Sequence, residues 1–500
     1  MAKSIMIQGT GSGVGKSLIA AGLCRILTAD MGLRVAPFKA QNMALNSFVT
    51  DDGGEIGCAQ ATQAEAAGIA PSVYMNPILL KASGESGSQV IVLGKVYKTM
   101  QATEFYEQKE LFWKTVTHAW DELSATYEFI VIEGAGSPAE INLMDREIVN
   151  MAVARHTGSP VILVGDIDRG GVFASLYGTT ALLNYEDSRL IKAFIINKFR
   201  GDINILLPGN KLIEDRTGIP VIGVLPYVTD MGLPEEDGLV LETKAKALPA
   251  AASDDSIKIT VLRLKYISNF TDFQPFQYEP NVELIISRRP EDIMNADLII
   301  IPGSKNTIAD LTILRDSGLD KIIKQAVKRG IPAIGLCGGY QMLGKTIEDP
   351  LRIESAEAKV AGLCLLDTAT VFNETKTTRQ VIAATAGQIP YVRNTHSALT
   401  GYEIHMGQTK GADSPAFVVS GQHPDGAVKN SVWGTYIHGI FDNDAFRRDL
   451  INGLRERKGL PSVEDAPVSY AAEKDAAIDR LAQLLRTNLN MDFIYSLAGL

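Results

Sequence analysis

The stretch Ile5-Met-Ile-Gln-Gly-Thr-Gly-Ser-Gly-Val-Gly-Lys-Ser17 decides the fold of the first half of the chain. It begins with an apolar run of strand length, continues with glycine at every second position, and is followed by apolar residues at helical spacing. A strand, a glycine-rich loop and a helix together form the context of a phosphate-binding loop. The glycines allow backbone N–H groups to surround phosphate oxygens, and the following helix points its positive end at them.

The candidate nucleotide-binding residues in this loop are Gly11, Ser12, Gly13, Val14, Gly15, Lys16 and Ser17. We expect Lys16 to reach the outer phosphates and the Ser17 hydroxyl to bind Mg²⁺. The first glycine of the common G-x-x-x-x-G-K-[ST] pattern would fall on Thr10, whereas this chain has Gly9 one residue earlier. The longer loop resembles that of the dethiobiotin synthetases. A glycine-rich turn with a chance lysine is the simpler alternative, but it leaves the agreement of loop, Lys-Ser pair and flanking periodicity unexplained.

Composition and charge limit the classes of function. A chain of 500 residues is too long for one core, so two or three domains are expected. The net charge of −10 comes without a basic stripe, which disfavours nucleic-acid binding. The longest apolar runs are strand-sized and the first residues lack a signal-peptide pattern, so we predict a cytoplasmic protein without a membrane partner. Four cysteines without C-x-x-C spacing argue against a disulfide framework or a zinc site.

Short apolar strands alternate with helical patterns along residues 1–230, and a second such series begins at residue 257. This alternation predicts an α/β protein with two parallel-sheet domains, of which the first resembles the phosphate-loop NTPases. The turn-rich stretch 231–256 predicts a linker. We place the second domain at 257–445 and a C-terminal helical extension, without evident chemistry, at 446–500.

Polar residues follow the predicted strands of the first domain, at the sheet edge where ligands bind. Glu133 follows Phe-Ile-Val-Ile, and a carboxylate there suits Mg²⁺, which takes one or two such ligands together with phosphate oxygens. Lys39 could neutralise a transferring phosphoryl group or pair with a surface acid. Asn197 could contact a purine edge or simply form a turn.

The second domain contains the stretch Ile334-Gly-Leu-Cys-Gly-Gly-Tyr-Gln-Met-Leu343. A strand that ends in Gly-x-Cys-x-Gly before a helix predicts a nucleophile elbow with Cys337 in the place of serine. The start of the helix favours the thiolate, and the backbone N–H of Gly338 can hold an oxyanion. A buried structural cysteine is the alternative, which the glycine spacing disfavours.

A cysteine nucleophile requires a base, and the best candidate is His438. It follows Val432-Trp-Gly-Thr-Tyr-Ile437 and therefore lies at the carboxyl end of a predicted strand. His405 is the second candidate. The turn that contains Gly303 and Ser304 follows another strand and could supply a second oxyanion donor.

Cys337 in Gly-Leu-Cys-Gly-Gly, with a later His438, resembles the class I glutamine amidotransferases. Those enzymes place a glutamate two residues after the histidine, where this chain has Ile440, so the usual triad acid is missing. The motif His438-Gly-Ile-Phe441 resembles the corrinoid branch of these enzymes, the cobyrinate/cobyric-acid branch. What orients His438 stays open, and Asp442, across a loop, is not expected to do so.

The resemblance extends over nearly the whole chain. Phe38-Lys-Ala-Gln-Asn-Met-Ala-Leu-Asn-Ser47 differs from the Phe-Lys-x-Gly-Pro-Asp-Tyr of the cobyrinic acid a,c-diamide synthases. This stretch instead resembles the members of the branch that act on the a,c-diamide, and so does Tyr402-Glu-Ile-His-Met-Gly407. Similarity to dethiobiotin synthetase implies that Glu55 and Glu133 are Mg²⁺ ligands and that Lys39 contacts phosphate.

The family then implies an ATP- and glutamine-dependent amidation of the b, d, e and g carboxylates of adenosylcobyrinic acid a,c-diamide. It implies ATP and Mg²⁺ as cofactors and no prosthetic group. One alternative is a related synthetase–amidotransferase for another carboxylate, such as cobyrinate or a cell-wall lipid. The other is a partition-type ATPase switch with an inactive amidotransferase module. A homo-oligomer remains open.

Overall fold

The computed structural model describes residues 2–82, 87–229, 231–233, 255–355, 357–421 and 423–500. The strands of the first domain are β1 (Lys3–Gly9), β2 (Val35–Phe38), β3 (Gln41–Met43), β4 (Ser47–Val49), β5 (Glu55–Gly57), β6 (Ile78–Ala82), β7 (Ser88–Val92), β8 (Lys95–Met100), β9 (Phe129–Glu133), β10 (Val161–Asp166), β11 (Ile191–Phe199) and β12 (Val221–Pro226). Its helices are α1 (Lys16–Met31), α2 (Cys58–Ala66), α3 (Ala102–Glu107), α4 (Lys109–Thr126), α5 (Met151–Thr157), α6 (Val172–Leu182), α7 (Tyr185–Ser188) and α8 (Ile203–Thr217).

The first domain is built on a six-stranded parallel sheet in the order β12-β11-β10-β1-β9-β2. Side chains of a strand alternate between faces, so Met6 packs into one core and Ile5 and Ile7 into another on the opposite face. The phosphate-loop strand β1 lies inside the sheet, paired with β9 and β10. The carboxyl end of β9, which carries Glu133, therefore lies beside the loop, and the predicted parallel sheet is confirmed.

A smaller layer of strands is inserted between β2 and β9. It contains the sheet β3-β6-β7-β8 and the separate hairpin β4-β5. The sequence analysis did not assign these strands, because they are short and lack a long apolar run. The hairpin matters for function, since it contacts the second domain.

The second domain contains the strands β13 (Ile257–Leu262), β14 (Ile267–Ser268), β15 (Val282–Ser287), β16 (Leu298–Ile301), β17 (Gly303–Ser304), β18 (Ala333–Leu336), β19 (Thr346–Glu348), β20 (Lys359–Ala361), β21 (Thr368–Thr385), β22 (Leu399–Gly411), β23 (Phe417–Val419), β24 (His423–Asp425), β25 (Ala427–Lys429), β26 (Val432–Thr435) and β27 (Ile437–His438). Its helices are α9 (Pro290–Met294), α10 (Thr307–Asp316), α11 (Leu319–Lys328), α12 (Gly338–Leu343) and α13 (Asp444–Arg457).

The main sheet of the second domain has the order β15-β13-β16-β18-β26-β25 and is parallel except at its edge strand β25. A seven-stranded, mainly antiparallel sheet, built around the long β21-β22 pair, covers the nucleophile side. The sequence analysis did not predict this second sheet. Most of the predicted linker, 231–256, lies outside the described residues.

The predicted C-terminal extension, 446–500, divides between the two domains. Phe446 and Leu450 of α13 belong to the core of the second domain, so a boundary after residue 445 would cut this helix. The helices α14 (Tyr470–Asn488) and α15 (Met491–Leu497) pack instead into the core of the first domain.

A Cβ on Gly22 of α1 would lie 2.4 Å from Leu485, so the close contact of α1 with α14 requires glycine there. Burying a leucine in this way contributes about 1.5–3 kcal/mol. Among the described helices, none has the length and apolar character needed to cross a membrane.

Candidate active sites

The phosphate loop has the backbone geometry that its glycines predict. Gly13 and Gly15 have φ angles of 71° and 98°, in the left-handed region that favours glycine. A Cβ on Gly15 would lie 2.2 Å from the side-chain nitrogen of Asn197. Lys16 extends back over the loop, where its ammonium group donates to the carbonyl of Gly11 at 2.8 Å and to that of Gly136 at 3.2 Å. The lysine charge is therefore held beside the loop.

Glu133 is the most densely hydrogen-bonded side chain of this site. Its Oε1 accepts from the Ser17 hydroxyl at 2.7 Å and from the Lys39 ammonium at 3.0 Å. Its Oε2 accepts from Gln63 at 2.6 Å and from Gln60 at 3.2 Å. Burial alone would raise the pKa of Glu133, but Lys39 and the hydrogen bonds from Gln63 and Ser17 lower it. The carboxylate is thus ionised, and Ser17 and Glu133 together offer an oxygen pair suited to Mg²⁺.

Gln60 and Gln63 were not predicted. Both lie on α2, a helix to which the sequence alone assigned no role. Two glutamines three residues apart lie on the same face of a helix, and this spacing is the feature of the sequence that could have indicated a shared hydrogen-bond partner.

Glu55 lies elsewhere, which corrects the expectation that it binds Mg²⁺ beside Glu133. Its Oε1 accepts from Lys81 at 2.8 Å, and its Oε2 accepts from Lys376, which belongs to β21 of the second domain. Burial alone would raise the pKa of Glu55, but the two lysines lower it. Because both oxygens are paired with ammonium groups, Glu55 is a buried ion-pair partner between the domains rather than a ligand at the phosphate loop.

Asn197 is brought to the phosphate loop, but its amide is engaged in the protein. It donates to the carbonyl of Val14 at 2.8 Å and accepts from the backbone of Lys198 at 2.8 Å. These bonds fit the turn alternative, and contact with a purine stays a prediction. The cavity beside the loop is closed by apolar side chains of α14, Leu481, Leu484 and Leu485. The C-terminal helix, predicted to lack chemistry, therefore lines the candidate nucleotide site.

Cys337 occupies a strained elbow between β18 and α12. Its φ of 49° and ψ of −105° are unusual for a residue with a side chain. The flanking glycines are required by contact: a Cβ on Gly335 would lie 2.6 Å from the backbone nitrogen of Tyr340, and one on Gly339 would lie 1.9 Å from the carbonyl oxygen of Ile301. This geometry is that of a nucleophile elbow.

The predicted oxyanion residues lie next to the elbow. A Cβ on Gly338 would be 2.8 Å from the backbone nitrogen of Ser304, so the two backbones approach each other closely. The Ser304 hydroxyl donates to Asp310 at 2.6 Å, which fixes the turn after β16. Gly303 pairs with Ser268 in a two-residue antiparallel bridge. The backbone at Ser304 is thus held beside Gly338, the residue that follows Cys337.

His438 is oriented by an acid that the sequence analysis missed. Its Nδ1 is 2.7 Å from Oδ2 of Asp272, whose Oδ1 accepts from the backbone of Gly439 at 2.9 Å. Burial alone would lower the pKa of His438, but Asp272 and then Cys337 raise it to about 10. The three residues form a cysteine–histidine–aspartate arrangement in which the acid holds the tautomer.

Position 440 lacks the usual triad acid, as the sequence indicates, because it is Ile440. The triad is nevertheless complete in the folded chain, because Asp272 takes the place of that acid. Asp272 lies beyond the short strand β14 (Ile267–Ser268), inside the 3₁₀ segment Phe270–Tyr278, where the strand-end rule applied to the predicted strands does not reach.

His405 and Asp442 were the other residues considered as partners of Cys337 and His438. His405 lines the same cavity as Cys337 and His438, but its Nδ1 bonds to the carbonyl of Gly407 at 2.8 Å. Burial lowers the pKa of His405 to about 4. Asp442 lines a neighbouring cavity, and burial raises its pKa to about 7. Of the two candidate bases, His438 is the one whose Nδ1 has a carboxylate partner.

Comparison with known proteins decides the family. Residues 5–240 match the CobQ/CobB/MinD/ParA nucleotide binding domain, and residues 258–446 match the CobB/CobQ-like glutamine amidotransferase domain. The chain is 49% identical to a cobyric acid synthase of Thermodesulfovibrio yellowstonii, over the full length of both. It is 48% identical to that of Streptococcus sanguinis, over 99% of each chain, and 46% identical to that of Desulfitobacterium hafniense, over 100% of this chain and 98% of the relative.

The chain belongs to the cobyric acid synthase family. Cobyric acid synthases are glutamine-dependent ligases that form amides, and the two matched domains fit this activity. The family resemblance and the two-domain α/β architecture expected from the sequence are confirmed. Relatives that match along the whole chain also favour a synthase over the partition-type ATPase alternative.

Proposed function

We propose that this chain converts the b, d, e and g carboxylates of adenosylcobyrinic acid a,c-diamide into amides, using ATP and glutamine. Full-length similarity to cobyric acid synthases carries the proposal. The two sites supply the chemistry that it requires: an ionised Glu133 beside a phosphate loop, and a cysteine nucleophile with an oriented histidine.

Activation of the carboxylate belongs to the first domain. A carboxylate is a poor acyl donor, and transfer of the γ-phosphoryl group from ATP gives an acyl phosphate from which phosphate can leave. In this proposal Lys16 and Lys39 stabilise the charge of the transferring group, which is supported by the bonds of their ammonium groups to the Gly11 carbonyl and to Glu133. Ser17 and Glu133 would hold Mg²⁺, which would neutralise phosphate charge. Ammonia then attacks the acyl carbon, forming the C–N bond as the C–O bond to phosphate breaks.

Release of ammonia belongs to the second domain. The Cys337 thiolate attacks the side-chain amide carbon of glutamine, and the backbone at Ser304 and Gly338 holds the developing oxyanion. His438, oriented by Asp272, gives its proton to the departing nitrogen, which leaves as ammonia. Water then cleaves the thioester: His438 takes a proton from that water, the hydroxide adds to the acyl carbon, and the Cys337 thiolate leaves, which gives glutamate and restores the thiolate and the protonated His438.

The test is a mass measurement of the corrinoid products. Purified protein is incubated with Mg–ATP, amide-labelled glutamine carrying heavy nitrogen, and either adenosylcobyrinic acid a,c-diamide or cobyrinic acid. We expect label to appear in new amides of the a,c-diamide. Labelling of cobyrinic acid only at its a and c groups would instead make the chain an a,c-diamide synthase, and no label on either corrinoid would contradict the proposal.

A further inference from the structure

The turn that leads into β4 of the first domain, Asn46–Ser47, contacts the segment of the glutaminase site that carries Asp272. The side-chain oxygen of Asn46 accepts from the backbone N–H of Phe270 at 3.1 Å. The backbone N–H of Ser47 donates to the side-chain oxygen of Asn269 at 3.2 Å. These two bonds fix the start of the 3₁₀ segment Phe270–Tyr278, which carries Asp272. The catalytic acid thus stands on a segment anchored to the other domain.

Asn269 has the backbone geometry of an anchor. Its φ of 50° and ψ of 46° place it in the left-handed region, where asparagine is tolerated better than most residues. It is buried, and its side-chain nitrogen donates to the Tyr402 hydroxyl at 3.3 Å. Asn269 therefore joins Ser47 of the first domain to Tyr402 of the second.

Tyr402 brings the same contact to the histidine. Its hydroxyl donates to the carbonyl of Ser47 at 3.1 Å, and its ring stacks on His438 with centroids 5.3 Å apart and planes 19° from parallel. Tyr402 is also the strand partner of His438 between β22 and β27. One turn of the first domain thus supports both the acid and the histidine of the triad.

The same turn continues into the nucleotide site. The carbonyl of Asn46 accepts from the backbone N–H of Cys58, the first residue of α2, at 3.2 Å. From α2, Gln60 and Gln63 donate to Glu133. A single helix therefore touches the turn beside the triad at one end and the metal-site carboxylate along its face.

We propose that the Asn46–Ser47 turn positions Asp272 and His438 through Asn269 and Tyr402, and that α2 links this positioning to the nucleotide site. The inference extends the proposed function, because it makes the glutaminase site complete only when the first domain supports it. Asn269 and Tyr402 are positioning residues: neither is placed to react with glutamine.

The test uses full-length Tyr402→Phe, which keeps the stacked ring, and Asn269→Gly, which keeps the left-handed backbone. Misplacing a catalytic group by about 1 Å can cost on the order of 10²-fold, so we expect glutaminase kcat to fall by roughly 10- to 100-fold. In Tyr402→Phe we expect the KM for glutamine to change by less than about threefold, because Tyr402 does not line the cavity of Cys337 and His438. The pH profile for alkylation of Cys337 by iodoacetamide should shift in the same variants. Tyr495→Phe, far along the chain in α15, is the matched control.

Two results would overturn the positioning: wild-type kcat in both variants, or a fall in kcat with an unchanged alkylation profile. These measurements use only glutamine and a thiol reagent, so they remain valid whichever carboxylate is the acceptor. Ammonia-dependent amidation of the a,c-diamide should stay within about twofold of wild type, since the first domain performs it. A parallel loss of this activity would overturn the assignment of Asn269 and Tyr402 as residues that position only the glutaminase site.

The link through α2 is tested by Asn46→Ala. The ratio of glutaminase kcat with and without Mg–ATP is measured in the wild type and in this variant. We expect the two ratios to differ, because the variant removes the contact between the turn and the segment of Asp272. Equal ratios would overturn the link.

Discussion

The two candidate sites differ in how their residues are distributed along the chain. The nucleotide site uses a contiguous loop, residues 11–17, and side chains at the ends of strands in one sheet. The glutaminase site combines Cys337 from an elbow, His438 from a short strand, and Asp272, which lies 166 residues before the histidine. A loop motif carries its own backbone geometry, whereas a triad is defined only by where side chains meet. The comparison also predicts that each site can be disabled without the other.

The largest effect is expected for Cys337→Ala. Removing the nucleophile of a hydrolytic triad can cost on the order of 10⁶ in kcat, so glutamine hydrolysis should fall to background. Amidation with free ammonia should persist, because Cys337 takes part only in releasing ammonia. Glutamate release and amide formation are measured in parallel on the purified variant. Loss of the ammonia-dependent reaction in a folded protein would mean that the sites are not separable.

Asp272→Asn tests whether Asp272 is the acid that orients His438 in the glutaminase site. In a serine triad the equivalent change favours the wrong histidine tautomer and costs on the order of 10⁴ in kcat, and we expect a loss of that size in glutamate release. Asp442→Asn is the matched control, because Asp442 is close in sequence to His438 but lines the neighbouring cavity, whereas Asp272 holds Nδ1 of the histidine. A small effect of the first change together with a large effect of the second would assign the orienting role to Asp442.

Lys16→Ala tests the nucleotide half. Loss of a charged group that stabilises phosphoryl transfer can cost on the order of 10³ or more in rate, so amidation should fall with either glutamine or ammonia as the nitrogen source. Glutamine hydrolysis should remain measurable, because the Cys337 site is built from other residues. Full amidation at saturating ATP would contradict the assignment of the phosphate loop.

The smallest effect is expected for Leu484→Asp on α14. This residue is half-buried and lines the cavity beside the phosphate loop, so the change should weaken nucleotide binding without removing a core side chain. Burying a leucine contributes about 1.5–3 kcal/mol, and we expect the KM for ATP to rise by roughly tenfold with little change in kcat. Gln483→Asp, exposed on the same helix, is the control. Equal KM values in both variants would remove α14 from the site.

Local patterns predicted the local structures well. The apolar runs at 282–286 and 298–301 have the length of strands, and they form β15 (Val282–Ser287) and β16 (Leu298–Ile301). The elbow at Cys337 is equally local, because glycines at 335 and 339 are required by neighbours that the turn itself brings together. The C-terminal helical extension predicted from the sequence includes α14 (Tyr470–Asn488), but the place of this helix against α1 was not predictable, since an apolar face does not specify its partner.

The sequence by itself determined the phosphate loop, the cysteine elbow, the main strands and the family, because each depends on residues that are neighbours in the chain or on a recognisable motif. Only the tertiary structure decided that Asp272 orients His438, that Glu55 pairs with Lys81 and Lys376, and that Gln60 and Gln63 hold Glu133. The physical reason is the same in all three cases. A buried charge or imidazole must find a partner of suitable charge or hydrogen bonding, and that partner is chosen by distance in the folded chain, which separation along the sequence does not reveal.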